Sequence, residues 1–211
     1  MAISPNSTLV DYLVPSRTSR SINLLRDVLL VVGFSIFTGL CAQVSFHIPI
    51  TPVPITLQTL AVLLTGAALG SRRGGLAMLV YLTEGAIGLP VFAGGAGGFI
   101  NLLGFTGGYL WSFPVAAFVT GLLCERRLDR RFLTSALAML PGSLIIYTIG
   151  APWLAIVGIP TPHGIFHPNL LQAFILGMVP FIPGDLFKLA IAAIFLPIAW
   201  ALVRRVKPES E

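Results

Sequence analysis

Charge is scarce in this chain. Only 10% of its 211 residues are Asp, Glu, Lys or Arg while 55% are hydrophobic, against about 25% charged residues in a soluble domain. That balance excludes a water-soluble globular protein and predicts a multi-span membrane domain. At about 20 residues per span with short connections, five to seven helices fit. Cysteine is nearly absent. Cys41 falls near the outer end of the first predicted span and Cys124 near the inner end of the fourth, so no disulfide and no cysteine metal site is expected. His163 and His167 stand four apart, but Pro162, Gly164 and Pro168 preclude the helix that would aim both at one ion, so no metal is expected. The glycine-rich stretch 85–98 lacks a following Lys-Ser or Lys-Thr and is not a phosphate-binding loop. No serine-nucleophile motif is present, so neither an enzyme nor a resident cofactor is expected.

The charges that are present are placed with a bias. Arg17, Arg20 and Arg26 precede the first span, and Arg72 and Arg73 lie between the second and third. Arg126, Arg127, Arg130 and Arg131 lie between the fourth and fifth, and Arg204, Arg205 and Lys207 follow the last. These are twelve of the thirteen basic residues, all in alternate connections. This is the positive-inside pattern, with both termini cytoplasmic. The net charge of +5 is therefore a topology signal, and no nucleic-acid partner is expected.

Six transmembrane helices are predicted in one membrane domain, 24–206, between a flexible N-terminal tail, 1–23, and a C-terminal tail, 207–211. The first span, about 27–46, carries the small pair Ser35 and Gly39, which permits close approach of another helix, either inside the domain or from a second subunit. His47 to Ile55 follows with three prolines, a stiff, apolar outer loop suited to a lid, with Pro52, Val53 and Pro54 at its centre. The second span, 56–69, is short for a bilayer and has Gly66 and Gly70 for tight packing. The third, about 74–89, carries Tyr81 and the site candidate Glu84. A fifth span, 132–157, is expected to be interrupted at Pro141-Gly142 and Pro152; Tyr147 and Trp153 read as interface anchors or ligand-stacking groups, with packing or anchoring the favoured role. Segment 158–169 reads as a loop. A short helical piece, 170–179, must turn before the last span.

That last span opens with Pro-Gly-Asp-Leu-Phe-Lys, so Asp185 and Lys188 share one helix face within a turn. Ionisable groups at membrane depth are costly and turn toward a partner or a polar ligand. By the parity of the spans, the pair lies at the outer end, level with the proline loop and the glycine stretch. A cavity there, lined by glycine backbone (Gly97, Gly98), an aromatic ring (Tyr109), the Asn101 amide and the Asp185/Lys188 pair, suits a small, largely apolar ligand with a few fixed polar groups.

Four stretches in one order carry a family resemblance: Pro52–Leu60, Gly85–Gly95, Gly104–Leu110 and Pro180–Lys188. In these the chain resembles the BioY family, the biotin-specific substrate-binding (S) components of energy-coupling factor transporters. The resemblance implies a six-helix S-component fold and high-affinity biotin capture at the prokaryotic cytoplasmic membrane. It also implies partnership with a transmembrane T subunit and two ATPase subunits. It further implies that the first outer loop, with the segment 53–58, closes over the ligand and brings Thr56 and Gln58 to it, that Asp185 and Lys188 contact biotin, and that Ser35 and Gly39 face the T subunit. The chain departs from the family at Phe105, where proline is usual. An S component for another vitamin or small heterocycle, or a biotin transporter working without ATPase partners, are the alternative readings.

Overall fold

The computed structural model describes residues 8–15 and 19–206, the last three by backbone alone. In chain order the elements are α1 (Leu9–Leu13), α2 (Arg20–Gln43), β1 (Ser45–Phe46), β2 (Ile55–Thr56), α3 (Gln58–Leu69), α4 (Ser71–Ala86) and α5 (Ile100–Leu103). There follow α6 (Gly107–Glu125), α7 (Phe132–Val157), β3 (Ile159–Thr161), β4 (Gly164–Phe166), α8 (Leu170–Gly177) and α9 (Ile182–Val206). The fold is helical, and among the described residues the strands form two short antiparallel hairpins.

Among the described residues, four apolar stretches are long enough to cross a membrane: α2, α6, α7 and the run from α8 into α9. Their outer faces are apolar and uncovered, with Leu25, Leu29 and Leu40 on α2 and Leu186, Phe187 and Phe195 on α9 exposed. Water would not tolerate so continuous an apolar coat on a monomer, whereas hydrocarbon does. The chain is a multi-pass membrane protein. Backbone polarity is answered within helices, as lipid requires.

α6 sits at the centre, packed on α3, α4 and α7. Glycine makes this contact close: a Cβ on Gly66 would lie 2.3 Å from the carbonyl oxygen of Ala117 in α6. α3 and α4 join through the single residue Gly70, whose φ of +83° reverses the chain in a conformation that costs L-residues with a side chain. The core beneath holds Met78, Tyr81, Leu102, Phe113, Ile146 and Leu154, all nearly inaccessible.

The structure corrects three sequence expectations. The predicted tail 1–23 contains an ordered helix: in α1, Leu9, Val10 and Tyr12 are buried, and the Tyr12 ring meets Trp200 of α9 edge-on at 5.0 Å. α2 already begins at Arg20. Residues 1–7 and 16–18, and the predicted C-terminal tail 207–211 with Lys207, lie outside the described residues. Second, α7 runs unbroken through Pro141 and Pro152. Each proline withdraws one intrahelical donor, but the twenty-six-residue helix is held by packing on α6. Third, segment 158–169 contains the β3–β4 hairpin, pairing Ile159 with Phe166 and Thr161 with Gly164.

Candidate functional site

The apolar loop 47–54 is fastened at its base by the β1–β2 ladder, Ser45 to Thr56 and Phe46 to Ile55. Within it the Thr51 hydroxyl accepts from the amide of Val53 at 3.1 Å, and both residues are buried. A loop with three prolines cannot satisfy its backbone by helix, and this local turn with the short ladder does so instead. Beneath it lies a cavity of about 220 Å³, bounded by the loop, the glycine-rich segment, α5 and the adjoining ends of α3, α6, α7 and α9.

Most of the wall is apolar: Phe92, Phe105, Leu110, Phe113, Ile146 and Phe181. Few polar groups punctuate it, and most are fixed by bonds of their own. Gln58 is buried, donates from Nε2 to the Tyr81 hydroxyl at 2.6 Å, and accepts at Oε1 from the Thr56 hydroxyl at 3.1 Å. The Tyr81 hydroxyl in turn donates a hydrogen bond to the carbonyl of Val91 at 3.0 Å, tying α3 to the glycine-rich segment through α4. The Asn101 amide donates to the carbonyl of Gly97 at 2.7 Å. The Tyr109 hydroxyl donates to the carbonyl of Gly177 at 2.9 Å, leaving its ring as wall.

Lys188 is the cation of the wall. Its Nζ donates to Asp185 Oδ1 at 3.0 Å and to the Thr59 hydroxyl at 3.0 Å. Asp185 Oδ2 accepts from the Tyr147 hydroxyl. Both side chains of the ion pair are 11% exposed. A pair this dry balances desolvation against attraction and contributes little net stability; its effect is to hold a cation still against an apolar cavity.

Of the sequence-predicted site residues, Thr56, Gln58, Asn101, Tyr109 and Lys188 line the cavity, as do Val53 and Pro54 of the lid. Asp185 stands one layer behind the wall, in contact through Lys188 and Tyr147, and Pro52 is also outside it. Gly97 and Gly98 do not line it either. Gly97 packs where a Cβ would come within 2.5 Å of the Leu89 carbonyl oxygen, which lets the segment fold on itself, and Gly98 supplies a left-handed turn at φ +99°.

Ser35 and Gly39 are corrected as well. Ser35 is fully buried with its hydroxyl on Glu84 Oε1 at 2.9 Å, and Gly39 sits under Val91. The small pair serves packing of α2 on α4 and the following loop, so it presents no free docking face. Glu84 likewise faces α2 and is not a wall residue.

The sequence reading favoured packing or anchoring for Tyr147 over a place at the ligand, missed its bond to Asp185, and missed Thr59 as a site residue. Tyr147 is no interface anchor: it lines the cavity and bonds Asp185. Trp153 is half-buried and donates to the carbonyl of Gly104 at 2.9 Å. A signal for Tyr147 existed in principle, since a buried phenol in an apolar span needs an acceptor and Asp185 is the carboxylate at that depth.

Residues 13–205 match the sequence model of the BioY family. A protein of Pyrococcus horikoshii named probable biotin transporter BioY is 45% identical over 170 residues, covering 80% of this chain and 93% of that protein. The biotin transporter BioY of Rhodobacter capsulatus is 41% identical over 172 residues, covering 78% and 89%. That of Thermotoga maritima is 40% identical over 166 residues, covering 78% and 91%. Among solved structures, the S-component for biotin from an ECF-type ABC transporter superposes with a TM-score of 0.72 at 24% identity, covering 92% of this chain and 96% of that one. At that identity the likeness is one of fold.

Proposed function

The chain belongs to the BioY family, and from that premise we propose that it captures biotin at the outer face of a prokaryotic cytoplasmic membrane, as the substrate-binding component of an energy-coupling factor transporter. It is a transporter component and not an enzyme. Six helices, α2, α3, α4, α6, α7 and α9, cross the bilayer, the shorter α3 and α4 as a tight pair, and both termini lie inside.

The observation that carries this reading is the cavity's composition within a chain matched to the family over nearly its whole length. Biotin has a fused bicyclic body, an aliphatic arm, a ureido group with two N–H donors and one carbonyl, and a carboxylate. The aromatic and aliphatic wall takes the bicycle and arm out of water, at roughly 25 cal/mol per Å² of apolar surface removed. Lys188 supplies a donor for an anionic or carbonyl oxygen, and the Thr56, Gln58 and Asn101 group meets the remaining polar edge. Val53 and Pro54 form the inner face of a lid that seals the ligand from the outer solvent. The sequence carries no nucleotide-binding motif, so this chain does not hydrolyse ATP itself; membership of the family supports a transmembrane T subunit and two ATPase subunits as the drive for inward release, over equilibration of biotin by this chain alone.

The test is calorimetric titration of biotin into the detergent-purified protein. Wild type is expected to bind tightly, and Lys188→Ala to lose at least about 100-fold in affinity, in line with loss of a charge-assisted hydrogen bond in a dry site. A folded wild type that takes up no biotin overturns the assignment.

A further inference from the structure

Asp185 is gripped from two helices. Oδ1 accepts from Lys188 on its own helix, α9, and Oδ2 from Tyr147 on α7, while Lys188 reaches across to Thr59 on α3. A carboxylate held at both oxygens has one orientation. An ammonium has three N–H donors, so two fixed bonds set the direction of the third. Here the two are made to Asp185 and Thr59, and Lys188 lines the cavity while Asp185 does not. The Tyr147 ring is itself wedged, edge-on to Tyr109 at 6.5 Å and tilted against Phe181 at 6.2 Å, so packing fixes where its hydroxyl lies.

We infer that Tyr147 and Thr59 are positioning residues for the ligand cation: Tyr147 acts through Asp185, Thr59 acts on Lys188 directly, and together they aim the remaining Lys188 donor into the cavity. A recognition group is only as well placed as the shell that supports it. The inference rests on the biotin reading for the choice of ligand alone; the network itself is a property of the free protein.

The test is a double-variant cycle of Tyr147→Phe and Asp185→Asn, read by biotin calorimetry and, separately, by ligand-free thermal unfolding in detergent. Tyr147→Phe keeps the ring and removes one hydroxyl, and about a 10-fold loss of biotin affinity is expected. In the Asp185→Asn background the same change is expected to add nothing. Thr59→Val is expected to weaken binding by a similar factor and Thr59→Ser to restore it. If the losses of Tyr147→Phe and Asp185→Asn instead multiply, the hydroxyl meets the ligand independently and the inference is overturned. It is equally overturned if Thr59→Val binds like wild type. Should wild type bind no biotin, the biotin reading falls and the unfolding cycle decides the network. Coupled shifts in melting temperature then uphold it, and additive shifts overturn it.

Discussion

Single positions with no side chain hold the centre of this protein together. Gly66 lies against the Ala117 backbone, and the Cβ of an alanine would stand 2.3 Å from that carbonyl oxygen, closer than any real contact. Backbone cannot swing aside as a flexible side chain can, so α3 and α6 must part. Gly66→Ala is expected to lower the melting temperature by the equivalent of about 1–3 kcal/mol, the usual cost of overpacking. Gly33→Ala in α2 is the control, since nothing lies within 4 Å of its added methyl, and it is expected to leave the melting temperature unchanged or slightly raised. Equal melting of both variants and wild type would refute the close-contact argument. Small-residue spacing was readable in the chain at both Gly66/Gly70 and Ser35/Gly39. What it could not reveal is the identity of the partner: such spacing marks close approach, and both pairs meet helices or loops of the same molecule. The Asp185 and Lys188 pair was legible for a different reason, because charge in an apolar run must be answered by something. The answering groups, Tyr147 and Thr59, come from distant sequence: the need of a buried phenol for an acceptor pointed only generally at Tyr147, and nothing in the chain singled out Thr59.

Among the elements, α1 shows best how tertiary contacts override local sequence. Five residues cannot hold a helix alone, which is why this stretch reads as tail. It is ordered because Asp11 accepts from Arg26 Nη2 at 2.8 Å and from Arg73 Nη2 at 2.8 Å, while Tyr12 leans on Trp200. α1 thereby staples α2, α4 and α9 at one end. Burial disfavours the Asp11 charge, but hydrogen bonds from Arg73, Arg26 and Thr8 outweigh it and hold the carboxyl well below the ordinary carboxylate range. A folded value below the unfolded one means the stabilisation is present above about pH 4 and lost as pH falls toward the folded value. Asp11→Asn is therefore expected to melt below wild type at pH 7, by on the order of 1 kcal/mol because the side chain is still 29% exposed. The gap is expected to narrow on acidification below about pH 4. Thermal unfolding at pH 7 and pH 3 measures it, and a gap that widens in acid would contradict the sign. α7 makes the opposite point. Pro141 and Pro152 read as breaks because a lone helix would break there, yet packing on α6 carries the helix through.

At the scale of the whole molecule, contacts gather the basic stretches at one end. Asp11 joins Arg26 and Arg73, Glu125 accepts from the amide of Ser71 at 2.7 Å, and Arg130 lies 3.9 Å over the Trp200 ring that Tyr12 also touches. The connections that precede α2, join α3 to α4 and join α6 to α7 are thus neighbours. The loop 47–54, Tyr147 and Lys188 frame the cavity at the other end. Alternation of basic and base-free connections in sequence and separation of two ends in space are independent lines, and they agree. In the proposed orientation, with arginine retained on the cytoplasmic side, the cavity faces outward, where a ligand to be imported is met. The orientation is testable without any ligand. Half-buried Cys41 and buried Cys124 are first replaced by serine and alanine, and single cysteines are introduced as Ile50→Cys, at a 65% exposed loop position, or Arg72→Cys, in the basic turn. A membrane-impermeant maleimide is expected to label Ile50→Cys on intact cells and Arg72→Cys only after the membrane is opened. Labelling in the reverse order would turn the molecule over, and with it the direction in which the cavity faces.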